Sequence, residues 1–234
     1  MYTKLANYYN YNHTTRTKGA IKYIVLHYTA NDGDTARNNL EYYRREPVQK
    51  SAHYFVDPAE ICCSVPWYNP AYHCGGKKYK YSSGGSLYGK CKNVNSIGIE
   101  MCSRKDGNGE YFIPVETQKR AAKFVAQLMR EYSIPIDRVV RHYDVTGKIC
   151  PAPMIEEKAW KAFKNMVLDY YEGKEVETVK YYETISEIPA GEFRETIQEY
   201  LDLGVIKGNG QGLHLTEDMI RFLVFMRRRF NLLK

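Results

Sequence analysis

The sequence lacks any apolar run near the ~20 residues of a membrane-spanning helix, so we expect no stable insertion into a membrane. Its start, MYTKLANYYNYNHTTRTKG, lacks the basic and then apolar pattern of a secretory signal. We therefore predict that synthesis ends in the cytoplasm. No low-complexity tract is present, and 44% of the 234 residues are hydrophobic, which predicts a packed globular chain.

Signatures of nucleic-acid binding are also missing, although part of the chain is basic. Residues 1–174 contain 26 Lys and Arg against 17 Asp and Glu, whereas residues 175–234 contain 8 against 10. A basic surface favours polyanions such as nucleic acid, an anionic membrane or an anionic cell wall. Because the basic residues are scattered and no zinc-finger, winged or ribonucleoprotein motif is found, we expect no nucleic-acid partner.

The six cysteines do not indicate a disulfide framework, because reduced thiols are expected in a chain of this length without a secretory signal. Cys62 and Cys102 lie in apolar strand-like runs and are typical of small core residues. Cys150 differs, since it lies between Lys148 and Pro151 at the end of a loop.

Strand-like and helical patterns alternate through the first three quarters of the chain. Runs rich in β-branched and aromatic residues predict strands at 22–29, 51–57, 61–66, 95–102 and 138–144. Apolar residues at helical spacing predict a helix over 117–132 and another around Trp160, Phe163 and Val167. This alternation predicts an α/β fold in which a mixed central β-sheet is flanked by helices.

Two segments interrupt this alternation. Residues 67–95 are rich in Gly, Tyr and Lys and predict a long loop, and such loops are usually functional or mobile. Residues 172–179 are polar and follow a complete helix. We therefore predict a catalytic domain at 1–171, a linker at 172–179 and a small C-terminal helical domain at 180–234.

The stretch VRHYDVTGKICPAPM, residues 140–154, contains the densest set of reactive side chains. Cys150 could be a nucleophile activated by a histidine. Alternatively, His142 and Cys150 could belong to a zinc site, which needs three protein ligands and leaves a fourth position for water. His27, at the end of the apolar run YIVLH, is the best candidate for the third ligand.

The segments IVLHYTA, SAHYFV, NSIGIE and RHYDVTGKICPAP, in this order, resemble the type-2 N-acetylmuramoyl-L-alanine amidases. These enzymes cut peptidoglycan and share their fold with phage endolysins and peptidoglycan recognition proteins. The resemblance covers about residues 19–169. It implies that Zn²⁺ is bound by His27, His142 and Cys150.

The resemblance also implies two catalytic residues. Some family members carry a tyrosine as the acid–base residue where this chain has Ala52, whereas others use a glutamate that corresponds to Glu100. We therefore expect Glu100 to transfer protons. Lys148, two positions before the cysteine, is expected to face the oxyanion that forms beside the metal.

Two further histidines are candidate substrate-binding residues. His73, in the sequence AYHCGG, corresponds to a family histidine that lines the cleft. His53 lies on a strand near the site and could equally be a packed core residue. Asp144 could orient an imidazole or cap the turn that follows it.

The resemblance implies hydrolysis of the amide between the lactyl group of N-acetylmuramic acid and L-alanine. The expected partner is the anionic Gram-positive cell wall, with the tyrosine-rich loop 67–95 as one wall of the substrate groove. Residues 180–234 loosely resemble half of an S-layer-homology-type motif and are expected either to bind the wall or to form a homodimer. A phage or prophage endolysin, held in the cytoplasm until release, fits these features.

Two other functions remain open from the sequence. One is a recognition module that binds peptidoglycan without cutting it, which the presence of Cys150 and Glu100 disfavours. The other is a metal-free Cys–His hydrolase.

Overall fold

A computed structural model describes residues 1–174, 181–208 and 212–231 of the chain. The chain divides into two compact units, residues 1–176 and 177–234. The predicted linker at 172–179 falls at this division, and its residues 175–179 lie outside the described residues.

A mixed sheet forms the centre of the first unit, as the sequence predicted. Its strands, in spatial order, are β1 (Tyr2–Thr3), β4 (Ile61–Cys63), β3 (Tyr54–Val56), β5 (Ser96–Met101), β2 (Tyr23–Tyr28) and β8 (Val139–Arg141). The pair β3 and β4 is antiparallel, and the other neighbours in this sheet are parallel. A separate antiparallel pair is formed by β6 (Arg104–Lys105) and β7 (Tyr111–Phe112).

Helices flank the sheet. The helices of this unit are α1 (Ala36–Arg45), α2 (Val115–Tyr132), α3 (His142–Thr146) and α4 (Glu157–Tyr171). Of these, α4 packs against α2. On α2 the buried apolar residues recur at helical spacing and join the main core with Trp160, Phe163 and Val167 of α4. The predicted helix at 117–132 is therefore confirmed.

The position of β2 determines where functional side chains meet. It lies between β5 and β8 and is parallel to both, so the carboxyl ends of the three strands share one edge of the sheet. His27 and Glu100 are register partners across β2 and β5. Leu26 pairs with Arg141, the last residue of β8, so that His142 follows at the same edge.

The strand predicted at 138–144 is shorter than expected. β8 ends at Arg141, and α3 begins at His142. The reason is the Asp144 carboxylate, which accepts a hydrogen bond from the backbone N–H of Arg141 at 2.7 Å and so caps the helix. Asp144 therefore caps the start of its own helix, whereas the sequence suggested an imidazole or the turn after Asp144 as its partner.

The second unit contains the helices α5 (Glu192–Asp202) and α6 (Glu217–Asn231) and a short antiparallel pair of β9 (Tyr181–Tyr182) with β10 (Leu215–Thr216). The sequence predicted a small helical domain here but not the strand pair. A small core of Tyr182, Ile188, Ile197, Leu215, Ile220 and Val224 holds these elements together. Across the described ranges of the chain, no helix is long and apolar enough to span a membrane.

Gly98, in the middle of β5, leaves room for a histidine from the long loop. A Cβ atom at this position would lie 2.5 Å from Cγ of His73. The Gly98 backbone is also engaged, because its N–H donates to Nδ1 of His53 at 2.9 Å and its carbonyl accepts from the His53 N–H at 3.0 Å. Position 98 is therefore closely packed on the side of His73.

We expect Gly98→Ala to lower the free energy of unfolding by about 1–3 kcal/mol, because the added methyl group overpacks the site. Urea denaturation followed by circular dichroism measures this change. Gly19→Ala is the matched control, since a Cβ there meets nothing within 4 Å, and it should change stability by less than about 0.5 kcal/mol. Equal midpoints for the two variants would contradict the packing argument.

Candidate metal centre and its cleft

Three metal-ligating side chains from distant parts of the sequence meet in the first unit. His27, His142 and Cys150 are buried, and one potential ligand atom from each lies within 4.8 Å of the others. The Sγ atom of Cys150 is 3.7 Å from Nδ1 of His27. The structure therefore brings together the three residues that the sequence predicted as zinc ligands.

Each ligand is positioned by the sheet edge or by a turn anchored to it. His27 is the penultimate residue of β2, and His142 is the first residue of α3, directly after β8. Cys150 returns to the same place because its carbonyl oxygen accepts a hydrogen bond from the Tyr143 N–H at 2.9 Å.

The buried Arg141 side chain holds the segment that contains two of these ligands. Its guanidinium donates to the Asp144 carboxylate at 2.9 Å and to the Glu157 carboxylate at 2.6 Å. It also donates to the carbonyl oxygens of Met154 and Ile155 at 3.1 and 2.9 Å. These bonds tie the start of α3 to the chain that follows the cysteine, which limits the movement of both ligands.

The protonation states of the three residues suit a metal ion. Burial, together with the neighbouring His142, holds the pKa of His27 well below its usual range. Burial and Lys148 lower the pKa of His142 to about 3, so both imidazoles are neutral at pH 7. Burial raises the pKa of the Cys150 thiol to about 12, which disfavours a thiolate nucleophile activated by the protein alone.

The residues present fit zinc. Among the described residues, Nδ1 of the buried His142 has no hydrogen-bond partner, so this nitrogen is available to an ion. Two imidazoles and one thiolate are ligands that zinc prefers, and three protein ligands leave a fourth position open.

Glu100 lies beside this cluster and is partly buried. It pairs in register with His27, and its Oε2 atom is buried with no hydrogen-bond partner among the described residues. Burial raises the pKa of this carboxyl to about 8, although the positive charge of Lys148 opposes the shift. An unpartnered carboxyl that titrates near neutrality can accept a proton and return it.

His73, predicted to bind substrate, borders the cleft but is mostly buried and hydrogen-bonded on both ring nitrogens. Its Nδ1 lies 3.1 Å from Nε2 of His27, and its Nε2 lies 3.1 Å from Oγ of Ser96. The Ser96 hydroxyl donates to the carbonyl oxygen of Lys92 at 2.7 Å. One consistent arrangement has His27 donating to His73 and His73 donating to Ser96, which leaves Nδ1 of His27 free to bind a metal.

His53 lies outside the cleft wall and is 0% exposed. Its Nδ1 accepts from the Gly98 N–H at 2.9 Å, and its Nε2 lies 3.1 Å from the carbonyl oxygen of Asn69 and 2.8 Å from the Arg16 guanidinium. In this position the ring has no surface that could contact a substrate. It matches the alternative interpretation of His53 as a packed core histidine.

A cleft of about 610 Å³ opens over the cluster. His27, Glu100, His142, Lys148 and Cys150 line it. The loop 67–95 supplies part of the wall, as the sequence predicted, through residues that include Tyr72, His73, Lys77 and Tyr79.

Sequence reasoning missed several groups around the cleft. Tyr43, Gln49 and Lys50, from α1 and the segment after it, also line the wall, but their local sequence contains no motif. Arg16 donates to the carbonyl oxygens of Trp67, Asn93 and Ser96 at 2.7–2.9 Å and so ties down the long loop. No local pattern distinguishes this arginine from the other basic residues of the chain.

Comparisons with known proteins agree with this geometry. BlyA, an N-acetylmuramoyl-L-alanine amidase of Bacillus subtilis (strain 168), is 39% identical over 163 residues, which cover 67% of this chain and 43% of the relative. CwlL, an N-acetylmuramoyl-L-alanine amidase of Bacillus licheniformis, is 40% identical over 144 residues, which cover 59% of this chain and 38% of the relative. The matched region thus spans about two fifths of these curated relatives.

Solved structures are similar over the same part of the chain. The structure of PlyL matches with a TM-score of 0.57 and 29% identity, covering 71% of this chain and 96% of that one. The PlyG catalytic domain matches with a TM-score of 0.59 and 28% identity, covering 76% and 98%. The sequence model of one family, described as N-acetylmuramoyl-L-alanine amidase, matches residues 17–153, which include every residue of the metal cluster. The chain therefore belongs to the type-2 N-acetylmuramoyl-L-alanine amidase family.

Proposed function

We propose that this chain is a zinc-dependent N-acetylmuramoyl-L-alanine amidase of the endolysin type. It hydrolyses the amide between the lactyl group of N-acetylmuramic acid and the L-alanine of peptidoglycan. The observation that carries the proposal is the buried cluster of His27, His142 and Cys150, with the unpartnered Glu100 carboxyl in the same cleft. Family membership supports it, as does the likeness, at 27% identity and a TM-score of 0.53, to a structure titled a mutant endolysin from Bacillus subtilis.

The metal in this proposal is held by the three-residue cluster. When bound, a zinc ion supplies a Lewis acid that polarises a carbonyl group and lowers the pKa of water to about 7. His73 has a supporting role, because its contact with Nε2 of His27 fixes the tautomer in which Nδ1 can serve as a ligand.

Glu100 transfers protons in this proposal. Its carboxylate takes a proton from the water that attacks the amide carbonyl, and the resulting acid gives the proton to the departing amine of L-alanine. The raised pKa suits both steps, since a carboxyl with a pKa near that of the solution donates and accepts with similar ease.

Lys148 stabilises negative charge in the same reaction. Its side chain lines the cleft, and its charge acts on both His142 and Glu100, so it lies near the reacting groups. We assign its ammonium to the oxyanion that develops on the amide oxygen, a donor whose loss typically costs about 2.7–4 kcal/mol of transition-state stabilisation.

The charge around the cleft suits an anionic polymer. Lys50 and Lys77 line the same cleft as Lys148. Residues 1–174 carry 26 Lys and Arg against 17 Asp and Glu, which favours approach to a Gram-positive wall by long-range attraction. That residues 180–234 bind the cell wall or form a homodimer stays a prediction.

The reaction itself is tested by the groups that it releases. Purified protein added to Gram-positive walls should produce new L-alanine amino termini, because the bond cut is an amide of L-alanine. Amino-terminal labelling measures these groups, and a reducing-sugar assay on the same sample should show no increase. Reducing ends would instead indicate a glycosidase, and walls that bind the protein without any release would indicate a recognition module.

Zinc binding is tested separately from activity. We expect the wild-type chain to contain about one zinc ion, and Cys150→Ser to lose most of it because the site loses its thiolate. Mass spectrometry of the metal content measures this difference. Cys63→Ser is the matched control, since that buried thiol bonds the Val65 carbonyl in the core and should leave zinc content unchanged.

The same preparation distinguishes the zinc enzyme from a metal-free cysteine hydrolase. A chelator should abolish activity, and added zinc should restore it. Activity that survives the chelator but is lost to a thiol reagent would overturn the zinc mechanism.

If Glu100 transfers protons, its substitution should lower turnover without affecting metal binding. Glu100→Gln should keep its zinc but lose about 10²–10⁴-fold in kcat, because the amide cannot take the proton from water. Zinc content and amine release, measured on one sample, give the two values. Glu110→Gln, at an exposed position, is the control and should match the wild type. If Glu100→Gln retains wild-type turnover, Glu100 has no role in the mechanism.

A further inference from the structure

A second cavity lies beside the cleft and is built largely from the N-terminal segment. Its volume is about 540 Å³, and it is lined by Tyr8, Tyr9, Tyr11, His13, Gln49 and Tyr72, a set we call the aromatic platform. Gln49 and Tyr72 also line the cleft over the metal cluster, so the two cavities are adjacent.

The rings of the platform form an open surface. Tyr8 and Tyr9 are 67% and 64% exposed, and their rings meet edge to face with centroids 5.7 Å apart. The His13 ring stacks on Tyr8 at 3.9 Å and lies 4.4 Å from Tyr11. Because His13 supports Tyr8 from one side, the exposed part of the tyrosine ring is left for a ligand.

The platform is held in place by buried polar groups. Asn10 is 0% exposed, and its Nδ2 donates to the carbonyl oxygens of Tyr43 and Glu46 at 2.8 and 2.7 Å. Its Oδ1 accepts from the Gln49 N–H at 2.9 Å. The backbone that carries the rings therefore needs little reordering when a ligand binds.

Ser51 joins the two sides of the platform. Its hydroxyl donates to the carbonyl oxygen of Asn10 at 2.7 Å and accepts from the Tyr72 N–H at 2.9 Å. Since Ser51 also lines the catalytic cleft, the platform and the cleft share one rigid wall. A ligand bound across this wall would have a defined position relative to the metal cluster.

The chemistry of the platform favours a neutral ring over a charged chain. Among the described residues, its lining contains no carboxylate, lysine or arginine, whereas the cleft contains Lys50, Lys77 and Lys148. Tyrosine offers a flat apolar face beside a hydroxyl, which matches the apolar face and equatorial polar groups of a pyranose. The stem peptide carries free carboxylates, for which the lysines of the cleft are the better partners.

We propose that the aromatic platform is a glycan subsite that binds an N-acetylated amino-sugar ring of the peptidoglycan strand next to the muramic acid whose amide is cut. This inference rests on the proposed function for its choice of polymer. Four of the six platform residues lie before residue 17, where the family match begins.

Binding of a saccharide without peptide tests the subsite independently of catalysis. The full chain is titrated with the trimer of N-acetylglucosamine by isothermal calorimetry. Tyr8→Ala should weaken binding about tenfold, because one stacking face is removed, and Tyr9→Ala should weaken it in the same direction. Tyr42→Ala is the matched control, since that tyrosine is 48% exposed and lines neither cavity.

A second probe, the stem tripeptide without sugar, shows whether the platform binds the glycan or the peptide part of the substrate. Its affinity should be equal in the wild type and Tyr8→Ala. The proposal is overturned if the wild type does not bind the trimer, if Tyr8→Ala binds it as tightly as the wild type, or if the tripeptide affinity is lost instead. Trimer binding that depends on Tyr8, in a protein that releases no L-alanine termini, would support the subsite and overturn only the proposed reaction.

Discussion

The parallel pairing of β2 with β5 on one side and β8 on the other is the constraint on which the site depends. It aligns three carboxyl-terminal strand ends at one edge of the sheet, so that His27, Glu100 and His142 meet although they are far apart in the sequence. Apolar side chains of these strands share one core with α2 and α4, whereas Val25 and Val140 share a second core with Cys74 and Cys91 of the long loop. A shift of one residue in either pairing would turn the functional side chains to the opposite face.

Desolvation sets the chemistry of the groups that this pairing collects. Burial keeps both imidazoles neutral, keeps the Cys150 thiol protonated in the protein alone, and raises the pKa of Glu100 to about 8. Neutral imidazoles accept a metal, whereas a protonated thiol with a high pKa is a poor nucleophile. The same burial therefore favours a metal centre over a metal-free cysteine and leaves one carboxyl able to exchange protons.

Much of the first unit could be predicted from local pattern. Burial on one or both faces of an element produces a pattern of apolar residues in the sequence. This pattern located the helix at residues 117–132 and the strands around His27 and Glu100. The end of β8 could not be predicted, since a side-chain cap by Asp144 overrides the strand propensity of VVRHY. The position of His53 depends on hydrogen bonds to Gly98, Asn69 and Arg16, which come from three separate segments.

The sequence by itself determined the alternation of strands and helices and indicated His27, His142 and Cys150 as a candidate metal-binding set, because apolar periodicity and a resemblance in ordered motifs are properties of the chain. Only the tertiary structure decided which faces of these residues meet, that His73 supports His27, and that the segment of Tyr8 and Tyr9 borders the cleft. The contact between His27 and His73 joins residues 46 positions apart. The position of the Tyr8 and Tyr9 segment depends on buried hydrogen bonds of Asn10. The physical reason is that long-range contacts and buried hydrogen bonds leave no periodic signal along the chain.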